Sequence, residues 1–99
     1  MLAVARILEF VMSAPGLILL ATDACTLCDK AFDLLASMPE LRGAGLDVVD
    51  VAEHAVLLET YGERLPVLAW RDQTGAILQP LDWPFDAPAV SRWLRNIEQ

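Results

Sequence analysis

Two cysteines, Cys25 and Cys28, stand three positions apart, and the 99-residue sequence contains no others. They follow a short apolar run, residues 17–21, and the helical spacing of apolar residues begins at about Cys25. The unpaired N–H groups in the first turn of a helix stabilise an anion, and they lower the pKa of a cysteine thiol placed there. Cys28 lies one helical turn further on, close enough to attack a mixed disulfide formed on Cys25. The pattern therefore predicts Cys25 as a nucleophile and Cys28 as its resolving thiol.

Two other uses of the cysteine pair have to be considered. Free cysteines often serve only as small buried hydrophobic residues. A structural zinc site needs four ligands, usually from a second close pair, and the sequence offers only His54 as a further soft ligand. His54 falls in a helical turn that is predicted to face solvent, so we expect no metal site.

The elements that would position the cysteines follow from apolar periodicity and turn residues. The pattern predicts helix 2–13, strand 17–21, helix 25–38, strand 46–51, helix 53–61, strand 66–70, strand 76–79 and a helix that Asp86 caps and that runs to about residue 98. The first two strands and the helix between them form a βαβ unit, which implies a parallel pair with a right-handed crossover. In helix 53–61 we expect Val56, Leu57 and Tyr61 to face inward and Gly62 to end the helix.

The order of elements and two motifs, Cys25-Thr26-Leu27-Cys28 and Leu65-Pro66-Val67, resemble those of glutaredoxins. A third motif, Trp83-Pro84-Phe85-Asp86, makes the sequence similar to a small glutaredoxin-like family in particular, and the resemblance covers about residues 16–96. The resemblance implies an α/β protein with the thioredoxin fold, a four-stranded mixed sheet flanked by helices. It also implies a thiol–disulfide oxidoreductase that uses Cys25 and Cys28.

The resemblance also implies a substrate-binding loop opposite the cysteines. Pro66 opens a predicted strand, a position where proline costs no ladder hydrogen bond. With the cysteine motif upstream, we expect a cis bond between Leu65 and Pro66, and the family implies that the backbone of Leu65 pairs with an incoming thiol substrate. Arg64 adjoins this loop and is a candidate partner for a substrate carboxylate.

The sequence departs from glutaredoxins at places that bear on glutathione. Thr26-Leu27 replaces the usual Pro-Tyr between the cysteines, and Asp23 stands near the position of a usual basic residue. The segment 79–82 replaces the Gly-Gly turn and the following acidic residue that hold glutathione. The predicted thiol–disulfide exchange requires no metal or organic cofactor, and glutathione is a candidate co-substrate only.

Composition limits the partners and the location. Fourteen acidic residues against seven basic ones give a net charge of −7, which disfavours nucleic acid. The first twelve residues are apolar apart from Arg6 and Glu9, and Pro15-Gly16 follows shortly afterwards, which disfavours a signal peptide or a membrane span. We therefore expect a cytoplasmic protein whose partner is a thiol or disulfide substrate, either a protein or glutathione, with no contact to nucleic acid or membrane.

The domain boundaries and the function leave alternatives open at this point. We predict an apolar helical extension over residues 1–15 and a glutaredoxin-like domain over residues 16–99. So apolar a helix must be covered, either by the domain or by a second copy in a homodimer. The alternative to an enzyme is a thioredoxin-fold binding or scaffold module without turnover, in which the cysteines are a packed or incidental pair.

Overall fold

The computed structural model of the protein describes residues 15–97. The predicted helix 2–13 and the extension 1–15 therefore lie, except for Pro15, outside the described residues. In chain order the elements are β1 (Gly16–Ala21), α1 (Thr26–Ser37), β2 (Leu46–Asp50), α2 (Ala55–Tyr61), β3 (Val67–Arg71), β4 (Ile77–Asp82) and α3 (Ala87–Ile97). Short 3-10 turns at Pro39–Leu41 and Val51–Glu53 follow α1 and β2.

The four strands form one mixed sheet in the order β2-β1-β3-β4. Strands β1 and β2 are parallel, as the βαβ pattern predicts, with Leu19 opposite Val48. Strand β3 is antiparallel to β1, and β4 is antiparallel to β3, which confirms the predicted hairpin. The described residues thus have the predicted thioredoxin fold, with the strand that leads into Cys25 at an interior position of the sheet.

Alternate residues of β1 divide the core between the two faces of the sheet. Leu17 and Leu19 belong to a cluster with the buried faces of α1 and α3, including Leu35 and Trp93. Ile18 and Leu20 belong to a second cluster on the opposite face, together with three other buried side chains, Val51, Val67 and Ala69. A strand covered on both faces reads as a continuous apolar run, which is why residues 17–21 show no alternation.

The C-terminal helix α3 begins as the sequence predicts. The carboxylate of Asp86 accepts a hydrogen bond from the Ala89 N–H at 2.9 Å, and Pro88 lies in the first turn. Val90 and Trp93 are buried beneath the helix. The indole N–H of Trp93 donates to the carbonyl oxygen of Gln79 at 2.6 Å, which ties α3 to β4.

Two predictions about α2 and β4 are wrong in part. Val56 does not face inward but is 74% exposed, because the 3-10 turn takes up the first residues and buries Val51 instead, so that α2 starts only at Ala55. Strand β4 does not stop at residue 79 but continues to Asp82. Pro80 is tolerated within β4 because β4 is an edge strand, where a residue without an N–H need not break a hydrogen bond of the sheet. The pairing with β3 is also irregular here, with a register shift between Leu68 and Trp70.

Helix length also bears on the membrane. No helix within residues 15–97 is both long enough and apolar enough to cross a bilayer.

Candidate active site at the carboxyl end of β1

Three loops meet at one end of the sheet because of the strand register. Leu20 pairs with Val67, Ala21 pairs with Asp50, and Val67 pairs with Asp82. The residues that follow β1, those that precede β3 and those that follow β4 therefore lie at the same end of the sheet. This end, which we call the cysteine end, holds the Cys25 turn, the Leu65-Pro66 loop and the Trp83–Asp86 segment.

The cysteine pair lies at the junction between β1 and α1. Cys25 is the residue that caps α1, and its sulfur accepts a hydrogen bond from the Cys28 N–H at 3.2 Å. Cys25 and Cys28 are joined as a disulfide, with their Cα atoms 5.2 Å apart. Cys25 is partly exposed whereas Cys28 is buried, with 4% of its surface accessible. Cys25 is therefore the more accessible of the two residues.

The Leu65-Pro66 bond is cis, as predicted. Pro66 is buried, and its carbonyl oxygen accepts a hydrogen bond from the Trp83 N–H at 3.2 Å, which joins the loop to the end of β4. The backbone N–H and C=O of Leu65 make no hydrogen bond within residues 15–97. These two groups are therefore available to an extended chain laid along the loop.

A second cis bond joins Trp83 and Pro84, which sequence reasoning missed. The available signal is the X-Pro bond inside the Trp83–Asp86 motif, since cis peptide bonds occur almost exclusively before proline. The rings of Trp83 and Phe85 meet edge to face at 5.0 Å, and Phe85 is buried in the cluster beneath α1 and α3. Phe85 therefore serves packing rather than substrate contact.

Arg64 lies next to the Leu65-Pro66 loop, but its guanidinium already forms an ion pair with a carboxylate of the protein. It makes two hydrogen bonds to Asp82, at 2.8 and 3.0 Å, and lies 5.0 Å from the centre of the Tyr61 ring. The hydrogen bond to Asp82 raises the pKa of Arg64 above its ordinary value. Asp82 is an acceptor that sequence reasoning did not assign, because the two residues are eighteen positions apart.

A groove of about 610 Å³ opens beside the cysteine pair, between α1 and the ends of β1 and β2. Cys28 forms part of its wall, with Phe32 of α1 and Val48 of β2. The charged side chains that line it are all carboxylates: Asp23, Asp29, Asp33 and Asp50. Of these, only Asp23 was singled out from the sequence: Asp50 joins the others through the fold, and Asp29 and Asp33, one turn apart on α1, belong to no motif.

Metal ligands are not assembled here. No three side chains of His, Cys, Asp or Glu within the described range are placed to hold a metal ion. His54 is exposed, at the residue that precedes α2.

The similarity to known proteins agrees with this arrangement. The model of the Glutaredoxin-like domain (DUF836) family matches residues 16–95. A search of curated proteins found no match. Among solved structures, protein XcR50 from X. campestris is 41% identical, with a TM-score of 0.63 over 82% of this chain and 97% of that one.

More distant structures share the fold. The C-terminal domain of DsbD from Neisseria meningitidis, in its oxidised form, is 21% identical, with a TM-score of 0.65 over 93% of this chain and 94% of that one. The exposed lipoprotein thioredoxin Etrx1 from Streptococcus pneumoniae is 15% identical, with a TM-score of 0.55 over 89% of this chain and 87% of that one. With a family match that spans the whole sheet and the cysteine motif, the chain belongs to the Glutaredoxin-like domain (DUF836) family.

Proposed function

We propose that this protein is a thiol–disulfide oxidoreductase whose redox couple is Cys25 and Cys28. The observation that carries the proposal is the asymmetry of the pair at the start of α1. The sulfur of Cys25 is partly exposed and accepts an N–H from the first turn of the helix, while Cys28 is buried behind it. The helix N–H groups stabilise a thiolate at Cys25, and burial disfavours a thiolate at Cys28.

The reaction proceeds in two exchange steps. In the first, the Cys25 thiolate attacks one sulfur of a substrate disulfide, so that a mixed disulfide forms and the other substrate sulfur leaves as a thiolate that takes up a proton. In the second, the Cys28 thiol loses its proton and attacks the sulfur of Cys25, which releases the remaining substrate thiol. Two electrons pass from the cysteine pair to the substrate disulfide. A thiol reductant, glutathione or a dithiol, restores the pair by the reverse exchange.

The Leu65-Pro66 loop is the proposed platform for the substrate backbone. The N–H and C=O of Leu65 are free within residues 15–97, and the loop lies at the cysteine end. A substrate chain that pairs with Leu65 gains backbone hydrogen bonds without any demand on its side chains. Arg64 contributes to this platform through its ion pair with Asp82, which holds the segment before Leu65 against the end of β4. The cytoplasm is the proposed location.

The test is to trap the mixed disulfide. Cys28→Ser, reduced and then mixed with a peptide disulfide, is expected to retain one peptide on Cys25, because no resolving thiol remains to release it. Cys25→Ser is the matched control and is expected to retain none. Intact-protein mass spectrometry measures both. If neither variant retains a peptide, and both cysteines of the unaltered protein alkylate at the same slow rate, the protein is a binding module and not an oxidoreductase.

A further inference from the structure

The groove beside Cys28 combines an apolar wall with an open rim. Phe32 and Val48, which line it, are 45% and 47% exposed, large fractions for an aromatic and a β-branched side chain. Leu19 and Ala21 form its buried floor. An exposed aromatic side chain beside the cysteine pair offers contact area to a substrate segment.

The charge of the groove is of one sign. Three of its four carboxylates form no ion pair with a Lys or Arg among residues 15–97, namely Asp23, Asp29 and Asp33. The fourth, Asp50, accepts a hydrogen bond from the Ala52 N–H at 2.9 Å. Lys30 belongs to α1 but is not part of the groove wall. The net charge of the chain, −7, has the same sign, so the groove concentrates a negative potential beside the disulfide.

From this charge and shape we infer that the groove binds a cationic segment of a protein disulfide, one that carries Lys or Arg together with an apolar side chain close to the reacting cysteine. The inference rests on the proposed function and specifies its substrate class. The Cα atoms of Cys25 and Cys28 are 5.2 Å apart, and an extended substrate advances about 3.3 Å per residue. Cys28 belongs to the groove wall, so one or two residues of an extended substrate span the distance from the sulfur of Cys25 to the groove. Glutathione, which carries two carboxylates and one ammonium, is disfavoured by the same potential.

The test uses three peptides of equal length that differ only in the residues flanking one cysteine, which are Lys, Ser or Glu. Each peptide is supplied as a mixed disulfide with 2-nitro-5-thiobenzoate. The full chain is reduced beforehand, so that attack by Cys25 releases the coloured thiolate in a single turnover and no other reductant is needed. At low ionic strength the Lys peptide is expected to react about tenfold faster than the Glu peptide or more. The ratio is expected to fall toward one as salt screens the charges.

Two charge reversals separate the groove from the overall charge of the protein. Asp33→Lys changes the wall of the groove, whereas Glu59→Lys makes the same change at an exposed position of α2. Asp33→Lys is expected to reduce the ratio of the Lys-peptide rate to the Glu-peptide rate by about fivefold or more. Glu59→Lys is expected to reduce it by less than about twofold.

Each other outcome overturns the inference in a recognisable way. If the Ser peptide reacts but the Lys and Glu peptides react equally fast, the inference is wrong and the proposed function stands. If none of the peptides reacts, both fail. Equal effects of the two reversals would assign the preference to net charge rather than to the groove. If Asp33→Lys alters the ratio only while it also alters the mass of the protein in solution, the groove is occupied by a second copy.

Discussion

Carboxylates occur at both ends of the sheet, but their surroundings differ. At the end that carries the β3–β4 turn, which we call the hairpin end, Asp47 pairs with Arg71 at 2.8 Å, and Asp72 accepts hydrogen bonds from the Thr74 and Ala76 N–H groups. At the cysteine end, Asp23 and Asp33 have no cationic partner within the described part of the chain. Carboxylates with partners hold the fold, whereas those without partners set the electrostatic potential around the cysteine pair.

The Arg64–Asp82 ion pair shows that the cysteine end also holds paired carboxylates. It lies at the cysteine end, yet it is paired as fully as the carboxylates at the hairpin end. Its two charges offset each other beside the Leu65-Pro66 loop, whereas Asp23 and Asp33 of the groove form no ion pair within residues 15–97. Substitutions at the hairpin end should therefore change stability alone, and substitutions of the unpaired carboxylates should change reactivity alone.

The largest expected effect concerns the packing that holds α1, and with it the cysteine end, in place. Leu35 is 1% exposed between α1 and the sheet, so Leu35→Ala is expected to lower the free energy of unfolding by about 2–5 kcal/mol. Leu78, on β4 at the hairpin end, is 42% exposed, and Leu78→Ala is expected to cost about 1 kcal/mol or less. Denaturant titration of both variants measures the difference. Equal losses would show that α1 is not anchored more firmly than the hairpin.

The sequence could predict the features that depend on local interactions. The strand before Cys25, the helix after it and the cap at Asp86 were predictable, because each depends on periodicity or on a residue within one turn. The cis bond at Pro66 was predictable only jointly with the cysteine motif, which the family resemblance supplied.

The rest of the site depends on contacts that no local pattern records. The Arg64–Asp82 pair joins residues on different elements, and the carboxylates of the groove come from the β1–α1 turn, α1 and β2. Val56 was misplaced because a 3-10 turn before α2 changes the phase of the helix, and such a turn leaves little trace in apolar spacing.

A smaller effect on stability is expected at Asp72, with no effect on thiol reactivity. Its carboxylate oxygen accepts from the Thr74 N–H at 2.8 Å, the Thr74 hydroxyl at 2.6 Å and the Ala76 N–H at 3.0 Å. Asp72→Ala removes all three hydrogen bonds and is expected to lower Tm. Asp72→Asn keeps an acceptor oxygen in the same place and is expected to lower Tm by less. If Asp72→Ala changed the alkylation rate of Cys25, the two ends of the sheet would not be independent.

The same residue predicts the direction of a pH effect. The hydrogen bond from the Thr74 side chain, assisted by the backbone N–H groups of the turn, lowers the pKa of Asp72 below its ordinary value of 3.8. Because the unfolded chain then binds the proton more readily, this contribution to stability is complete above that ordinary value and is lost as the pH falls through the folded pKa. Thermal melting between pH 5 and pH 2 is expected to show a steeper fall for the unaltered protein than for Asp72→Asn. Parallel curves would contradict the assignment.

The smallest expected effect tests the cysteine end directly, through Asp23. This carboxylate lies two residues before Cys25 and lines the groove that Cys28 also lines, so its charge opposes a thiolate at the start of α1. Asp23→Asn removes one negative charge and is expected to raise the rate of Cys25 alkylation at pH 7 in the reduced protein by about two- to threefold. Asp47→Asn removes the same charge from the hairpin end and is expected to leave that rate unchanged, although it breaks the pair with Arg71.

Peptide mapping after a short exposure to iodoacetamide assigns the label to each cysteine, and the neutral reagent avoids any attraction or repulsion of its own. An equal acceleration in both variants would mean that net charge controls the thiol, and no acceleration in either would mean that the N–H groups of α1 already outweigh the carboxylate.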